Sequence, residues 1–172
     1  MRLFFFGTLM DRDLLSVVLS RPADGLHLAH AQVSGFVRRQ TAEEAFPILV
    51  PQADGQVDGV VADGIGYGDI DRLLFFEGGE YTLAELVVTT DHGRSDAHLF
   101  ASTGRLTATD QPWSFNAWQT LHKGLALVEA EMLMSLYGTM SLAAADAQWL
   151  DIKAQALTRY ERAAPTSLAV GA

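Results

Sequence analysis

A carboxylate that follows two phenylalanines at the end of a helix is poorly placed to stay charged. The run Leu73-Leu74-Phe75-Phe76-Glu77-Gly78-Gly79-Glu80-Tyr81 puts Glu77 in that position. Asp69 opens a helix from Ile70 to about Glu77, and Gly78-Gly79 is a stop signal. The C-terminal end of a helix carries partial negative charge, and apolar neighbours desolvate a carboxylate. Both effects raise the pKa toward neutrality, which a general base working at neutral pH requires. The plain alternative is a solvated glutamate on a frayed helix end. Glu80, between Gly79 and Tyr81, is the rival carboxylate.

The second segment with chemical potential is Phe4-Phe5-Phe6-Gly7-Thr8-Leu9-Met10. An apolar run feeds a Gly-Thr turn, and a helix begins near Asp11. Gly7 has no Cβ, so the backbone there can turn sharply and approach a ligand. The first amides of a helix are unpaired and carry partial positive charge, so this junction is expected to hold a carboxylate-sized anion. Strand, glycine turn and helix also occur together for purely structural reasons.

The elements that must position these segments follow from periodicity. Leu3 to Phe6 reads as a strand buried on both faces. Asp11 caps a helix carrying Leu14, Leu15, Val18 and Leu19, which Pro22, Asp24 and Gly25 end. Residues 27 to 62 read as strands: Leu28 to Phe36, then Phe46 to Val50, then Val57 to Ala62. Asp54-Gly55 predicts a hairpin between the last two, and Gly59 predicts a bulge or a close backbone approach. Tyr81 to Thr90 and Ala97 to Ala101 pair across the turn Asp91-His92-Gly93-Arg94.

Beyond residue 112 the pattern becomes helical. Trp113, Trp118, Leu121, Leu125, Val128, Met132 and Leu136 recur at helical spacing between a cap at Ser114 and a stop at Gly138. A second helix spans Ser141 to about Arg162, with Leu142, Trp149, Ile152, Ala156 and Tyr160 on one face. The division expected is a barrel-forming region over 1–105 and a helical hairpin over 112–163 packed on it, within the same domain or as an appendage. The last eight residues or so read as a frayed end. Met132, Met134, Met140 and Trp113 suit either cover for a barrel edge or the seam of a homodimer.

In this order and spacing the segments resemble the gamma-glutamyl cyclotransferase superfamily, most closely its avirulence-induced-gene-like branch. The family's opening Tyr-Gly-Thr/Ser-Leu motif is matched by Phe6-Gly7-Thr8-Leu9. Its Gly-aromatic, aromatic-Pro and Val-x-Gly strands are matched by Gly35-Phe36, Phe46-Pro47 and Val57-Asp58-Gly59. Its Phe-Glu-Gly-x-x-Tyr segment is matched by Phe76-Glu77-Gly78-Gly79-Glu80-Tyr81. The resemblance covers about residues 1–103. It implies an α+β fold: a small mixed β-barrel flanked by helices, here followed by the C-terminal helix pair. It implies cyclisation of a γ-glutamyl group to 5-oxoproline with release of an amine or amino acid, and no cofactor. It places the catalytic glutamate at Glu77 and the substrate cradle at Gly7, Thr8 and Leu9, beside Phe6. Tyr81 is the choice for an accessory substrate-binding residue. The chain departs from the pattern at Phe6, where the family has a tyrosine, at Leu74, where it has an aspartate, and at Phe100, where relatives often carry tyrosine. These departures keep two other readings open: a non-catalytic small-molecule-binding protein that retains the cavity, and an amide-bond enzyme for another small substrate.

Composition narrows the field. The chain has 172 residues, 49% of them hydrophobic and 19% charged, which reads as globular. A net charge of -9 disfavours nucleic acid and anionic lipid as partners. The absence of cysteine excludes disulfides, thiolate metal sites and a cysteine nucleophile. His27, His30, His92, His98 and His122 lack ligand spacing, so no metal site is expected. Arg38 or Arg39 could reach an anionic substrate, although a solvated strand end is the plainer reading. There is no signal-peptide pattern and no run of ~20 apolar residues, so a cytoplasmic protein is expected.

Overall fold

The computed structural model describes residues 1–163. Its strands are β1 (Leu3–Phe5), β2 (His27–Thr41), β3 (Pro47–Asp63), β4 (Tyr81–Thr90), β5 (Gly93–Ser102) and β6 (Ala108–Pro112). Five of them follow the order β3-β1-β5-β4-β2, and β2 pairs back onto β3 to close a barrel. β1 and β5 are parallel, whereas the other neighbours run antiparallel. β6 is an additional strand on β2.

β1 shows why its sequence is a continuous apolar run. Successive side chains of a strand point to opposite faces. Phe4 and Phe6 join Val33, Val57, Val61 and Val88 in one cluster. Leu3 and Phe5 join a second cluster with the helices. These are α1 (Arg12–Leu19), α2 (Tyr67–Glu77), α3 (Phe115–Leu121), α4 (Lys123–Met134), α5 (Leu142–Asp146) and α6 (Trp149–Ala163). Trp113, Trp118, Ala130, Leu133, Ala145 and Ile152 are buried in that second cluster with Leu14 and Leu73 of the earlier helices. Met134 is buried there too, and Met132 and Met140 pack against it. Among the described residues no helix is long and apolar enough to cross a membrane.

Three sequence expectations need correction. Asp54-Gly55 makes no hairpin: β3 continues past it in the same direction beside β2, and residues 52–55 form a bulge between two paired stretches. The hairpin lies earlier, at residues 42–46. Gly55 instead sits where the register shifts between Ser34 and Phe36, and a Cβ there would lie 2.3 Å from the Phe36 carbonyl oxygen. The two C-terminal helices are each broken: α3 gives way to α4 at His122, whose φ of -123 is not helical, and α5 is separated from α6. β6 was not foreseen, since its residues Ala108-Thr109-Asp110-Gln111-Pro112 lack an apolar pattern. The frayed end expected for the last residues lies outside the described residues.

Candidate active site

One cavity of ≈ 370 Å³ opens between the barrel and the helices. Phe6, Gly7, Thr8, Leu9, Glu77 and Tyr81 all line it. The fold therefore brings together every site residue named from the sequence, although they come from the segment directly after β1, the end of α2 and the start of β4.

Glu77 is the last residue of α2. Gly78 follows with φ +67, a conformation that favours glycine, and its N–H closes the helix on the Leu74 carbonyl. The turn is held from outside as well, since the Gly79 N–H donates to Asp146 of α5 at 3.2 Å. Glu77 is thus fixed on the cavity wall behind Phe75 and Phe76. Burial pushes its carboxyl up to about 8, and among the described residues no charge or hydrogen bond offsets that. Glu80, the rival, also lines the cavity, with one carboxylate oxygen buried and unpartnered among the described residues.

The turn after β1 is a short 3-10 piece, Thr8–Met10. The Met10 N–H donates to the Gly7 carbonyl at 3.1 Å and the Asp11 N–H to the Thr8 carbonyl at 3.0 Å. The first amides of such a turn have no partner within it. The expected source of the anion site changes here. The N-terminus of α1 is occupied by the Asp11 carboxylate, which accepts from the Asp13 and Leu14 amides at 3.1 Å each. A carboxylate cap already answers that helix end, so any cradle is built from the 3-10 turn alone. Asp11 is 2% exposed and also meets Gln119 at 2.7 Å and Lys123 at 2.8 Å. Burial by itself would raise its pKa, yet the Lys123, Gln119 and Leu14 hydrogen bonds hold it below the usual range.

Tyr81 turns its hydroxyl to the Pro47 carbonyl at 3.1 Å, and its ring lies 6.2 Å from that of Phe46. Burial, Glu77 and Glu80 all push its phenol upward, so it stays protonated. Phe100, the position where a tyrosine was noted as absent, also faces the cavity. Arg38 behaves as neither sequence reading proposed. It is part-buried, donates to the Phe6 carbonyl at 2.7 Å and stacks 5.1 Å from the Trp113 ring.

Sequence reasoning missed the opposite wall. Thr41 is 3% exposed and organises the β2–β3 turn, its hydroxyl facing the Glu44 and Phe46 carbonyls at 2.9 and 3.0 Å. That turn carries Glu44 to the cavity, where Trp149 donates to it at 3.1 Å and Lys153 at 2.6 Å. Glu129 of α4 lines the same cavity. Burial and the nearby Glu44 push its carboxyl up to about 7, against the pull of Lys153. One signal was present in the sequence. Glu129 sits four residues from both Leu125 and Leu133, so a charge interrupts the apolar stripe of its helix.

Comparison with known proteins now decides the family. The model of the family described as gamma-glutamyl cyclotransferase, AIG2-like, matches residues 3–119. The chain belongs to this family. AIG2-like protein A of Arabidopsis thaliana is 28% identical over 123 residues, covering 70% of this chain and 73% of that relative. AIG2-like protein D of the same plant is 30% identical over 125 residues, covering 69% and 79%. A solution structure of another Arabidopsis thaliana protein superposes with a TM-score of 0.56 at 22% identity, covering 80% of this chain and 92% of that one. A structure described as gamma-glutamyl cyclotransferase gives a TM-score of 0.50 at 10% identity, covering 94% and 98%. At such identities these two structures speak for the fold, a gamma-glutamyl cyclotransferase-like barrel. In this AIG2-like chain, residues past 119, including Glu129 and Trp149, complete the cavity from outside the segment matched to the family.

Proposed function

We propose that this protein is a gamma-glutamyl cyclotransferase that converts the γ-glutamyl group of a small conjugate to 5-oxoproline and releases an amine. The observation that carries the reading is the Glu77 carboxyl, without a partner among the described residues and pushed up to about 8 by burial, on the wall of the cavity that the Gly7–Leu9 turn also lines.

The chemistry is an intramolecular acyl transfer. The substrate's α-nitrogen attacks its own γ-carbonyl carbon, the new C–N bond closes the ring, and the old C–N bond to the amine breaks. The α-ammonium must first lose a proton, and the departing nitrogen must gain one. Glu77 can accept the first and deliver the second. A carboxyl near neutrality suits both directions better than a solvated one. The turn amides of Thr8 and Leu9 are suited to the α-carboxylate or to the tetrahedral oxyanion. Ring closure needs no second substrate, so holding the chain in a folded-back pose supplies much of the acceleration. On the way to the lactam N–H the attacking nitrogen sheds a second proton, which Glu77 can relay in the same way so that the released amine leaves as an ammonium, and the two protons balance without calling on a metal or organic cofactor.

The experiment is incubation with a panel of γ-glutamyl amines and γ-glutamyl amino acids, with 5-oxoproline as the readout. Glu77→Gln keeps the shape and removes the proton acceptor, so product formation is expected to vanish while the fold persists. One observation favours a second reading. Phe6 lines the cavity without the hydroxyl carried by the family's tyrosine, which suits a binding protein that has lost the chemistry. Saturable binding with no 5-oxoproline from any panel member would establish it.

A further inference from the structure

Two glycines follow Glu77, so the chain leaving the proposed base has a wide choice of backbone conformations. Contacts from outside the turn must select one. On the barrel side Thr103 does so. Its N–H donates to the Glu80 carbonyl at 2.8 Å, and its hydroxyl reaches the Gly79 and Glu80 carbonyls at 3.1 Å each. On the other side the partner is Asp146, the last residue of α5. One of its carboxylate oxygens accepts from the Gly79 N–H at 3.2 Å and lies 3.3 Å from where a Cβ at Gly79 would stand. The other oxygen lies 3.0 Å from the same point at Gly78. The carboxylate thus spans both glycines. Its support is firm. Ala145, beside it, is fully buried, and Ser141 caps α5 by accepting from the Ala144 N–H at 3.3 Å. Asp146 itself is exposed. A hydrogen bond that faces water adds little to stability, because water replaces it when it breaks. Its effect is local: it selects the path of the chain directly after Glu77.

Resting on the cyclotransferase reading, we propose that Asp146 is a positioning residue: from the C-terminal helices it holds the Gly78–Gly79 turn and, through that turn, keeps the Glu77 carboxyl on the cavity wall. Asp146 lies past residue 119, where the match to the family ends. The placement of the base therefore depends on a helix outside the matched segment.

A carboxylate can also act on Glu77 by its charge alone, so the test separates charge from hydrogen bond. Asp146→Ala removes both. Asp146→Asn removes the charge and keeps an oxygen able to accept from Gly79. Glu44, Glu80, Tyr81, His122 and Glu129 share the cavity with Glu77, and neither variant alters them. In Asp146→Ala, kcat for 5-oxoproline release is expected to fall about tenfold or more with KM little changed, since a base misplaced by an ångström can cost about a hundredfold. The released turn also lets water reach Glu77, so the rise of kcat/KM with pH should end at about 7 or below instead of about 8. Asp146→Asn should restore both kcat and the pH limit. Three results overturn the positioning role and leave the cyclotransferase reading standing: a lower melting temperature with kcat and the pH limit unchanged, equal effects in the two variants, or a change in KM alone. Carboxyl NMR of Glu77 reads the same effect without turnover. Absence of 5-oxoproline, with a Glu77 titration that moves down in Asp146→Ala and returns in Asp146→Asn, overturns the cyclotransferase reading and leaves the positioning standing. Absence of product with an unmoved titration overturns both.

Discussion

The Arg38 guanidinium donates to the Phe6 carbonyl at 2.7 Å, and that carbonyl belongs to the residue directly before the Gly7 turn. The arginine lies on β2 and its face is covered by Trp113 at 5.1 Å. A strand that never reaches the cavity thus fixes the peptide from which the proposed cradle starts.

Replacing Arg38 by methionine keeps much of the stem and removes the donor. The Phe6 carbonyl then loses a charged partner, and such a loss costs about 1–3 kcal/mol. The expected outcome is a lower kcat with a smaller change in KM, because the turn amides shift relative to the reacting carbonyl. A purely structural role would lower the melting temperature alone. Amide chemical shifts of Gly7, Thr8 and Leu9 distinguish the two, and unchanged shifts would argue against positioning.

The pH dependence of turnover follows from Glu77. A base must be ionised to accept the first proton, and its carboxyl is pushed up to about 8. The logarithm of kcat/KM is expected to climb with pH until about 8 and then level off. Measuring 5-oxoproline release from pH 5 to 9.5 checks this. A limb ending near the ordinary carboxylate range would mean that Glu77 is solvated.

Stability should show the same group with the opposite sign. Glu77 and Glu129 titrate in the folded chain near about 8 and about 7, above the 4.5 of a free glutamate. Folded protein holds those protons after the unfolded chain has released them. Stability is therefore full below 4.5 and falls as pH rises through the window up to about 8. Glu77→Gln stays neutral throughout, so it should melt higher than the unaltered protein at pH 8.5 and nearly equally at pH 4.5. A gain of ~2 kcal/mol is a reasonable scale for a partly buried carboxylate, since one pKa unit is about 1.4 kcal/mol. Asp11, Asp63 and Asp69 act in a separate window. Their partners hold them below the usual value, so their contribution is lost only as pH falls further.

The barrel was legible where two physical rules coincide. β1 had to be buried on both faces because three phenylalanines in a row leave no face for water, and Glu77 stood out because glycine stopped its helix directly after two aromatics. Asp11 was readable as a cap, yet its second consequence was not. A carboxylate that closes α1 also removes that helix end from ligand binding, and only the hydrogen bonds reveal which role it serves. The Asp54-Gly55 signal failed because the turn is absorbed as a bulge between two paired stretches of β2 and β3, so the chain does not reverse there. Glu44 and Glu129 were hidden for another reason. A glutamate in a turn and a glutamate in a helix look solvated until tertiary packing puts Trp149, Lys153 and each other beside them.

Two glycines separate fold from site. At Gly59 a Cβ would lie 2.3 Å from the Phe5 carbonyl oxygen and 2.6 Å from the Phe4 ring, closer than atoms of either kind can approach. The Phe5 carbonyl belongs to the barrel seam between β1 and β3 and cannot move without breaking pairing, and the Phe4 ring is packed in the barrel core. Gly59→Ala should lower the melting temperature by several degrees or prevent folding, a loss of about 1–3 kcal/mol or more by overpacking. At Gly7 the same atom would meet the Pro47 ring at 3.1 and 3.2 Å, a tight contact with a side chain at the cavity edge. Pro47 can give by a few tenths of an ångström, but the turn and the Tyr81 hydroxyl bonded to the Pro47 carbonyl move with it. Gly7→Ala is therefore expected to fold with near-normal stability and to lose at least tenfold in kcat/KM, since about 1.4 kcal/mol of transition-state stabilisation is tenfold in rate. Equal loss of stability in the two variants would mean that the turn serves the barrel, not a substrate.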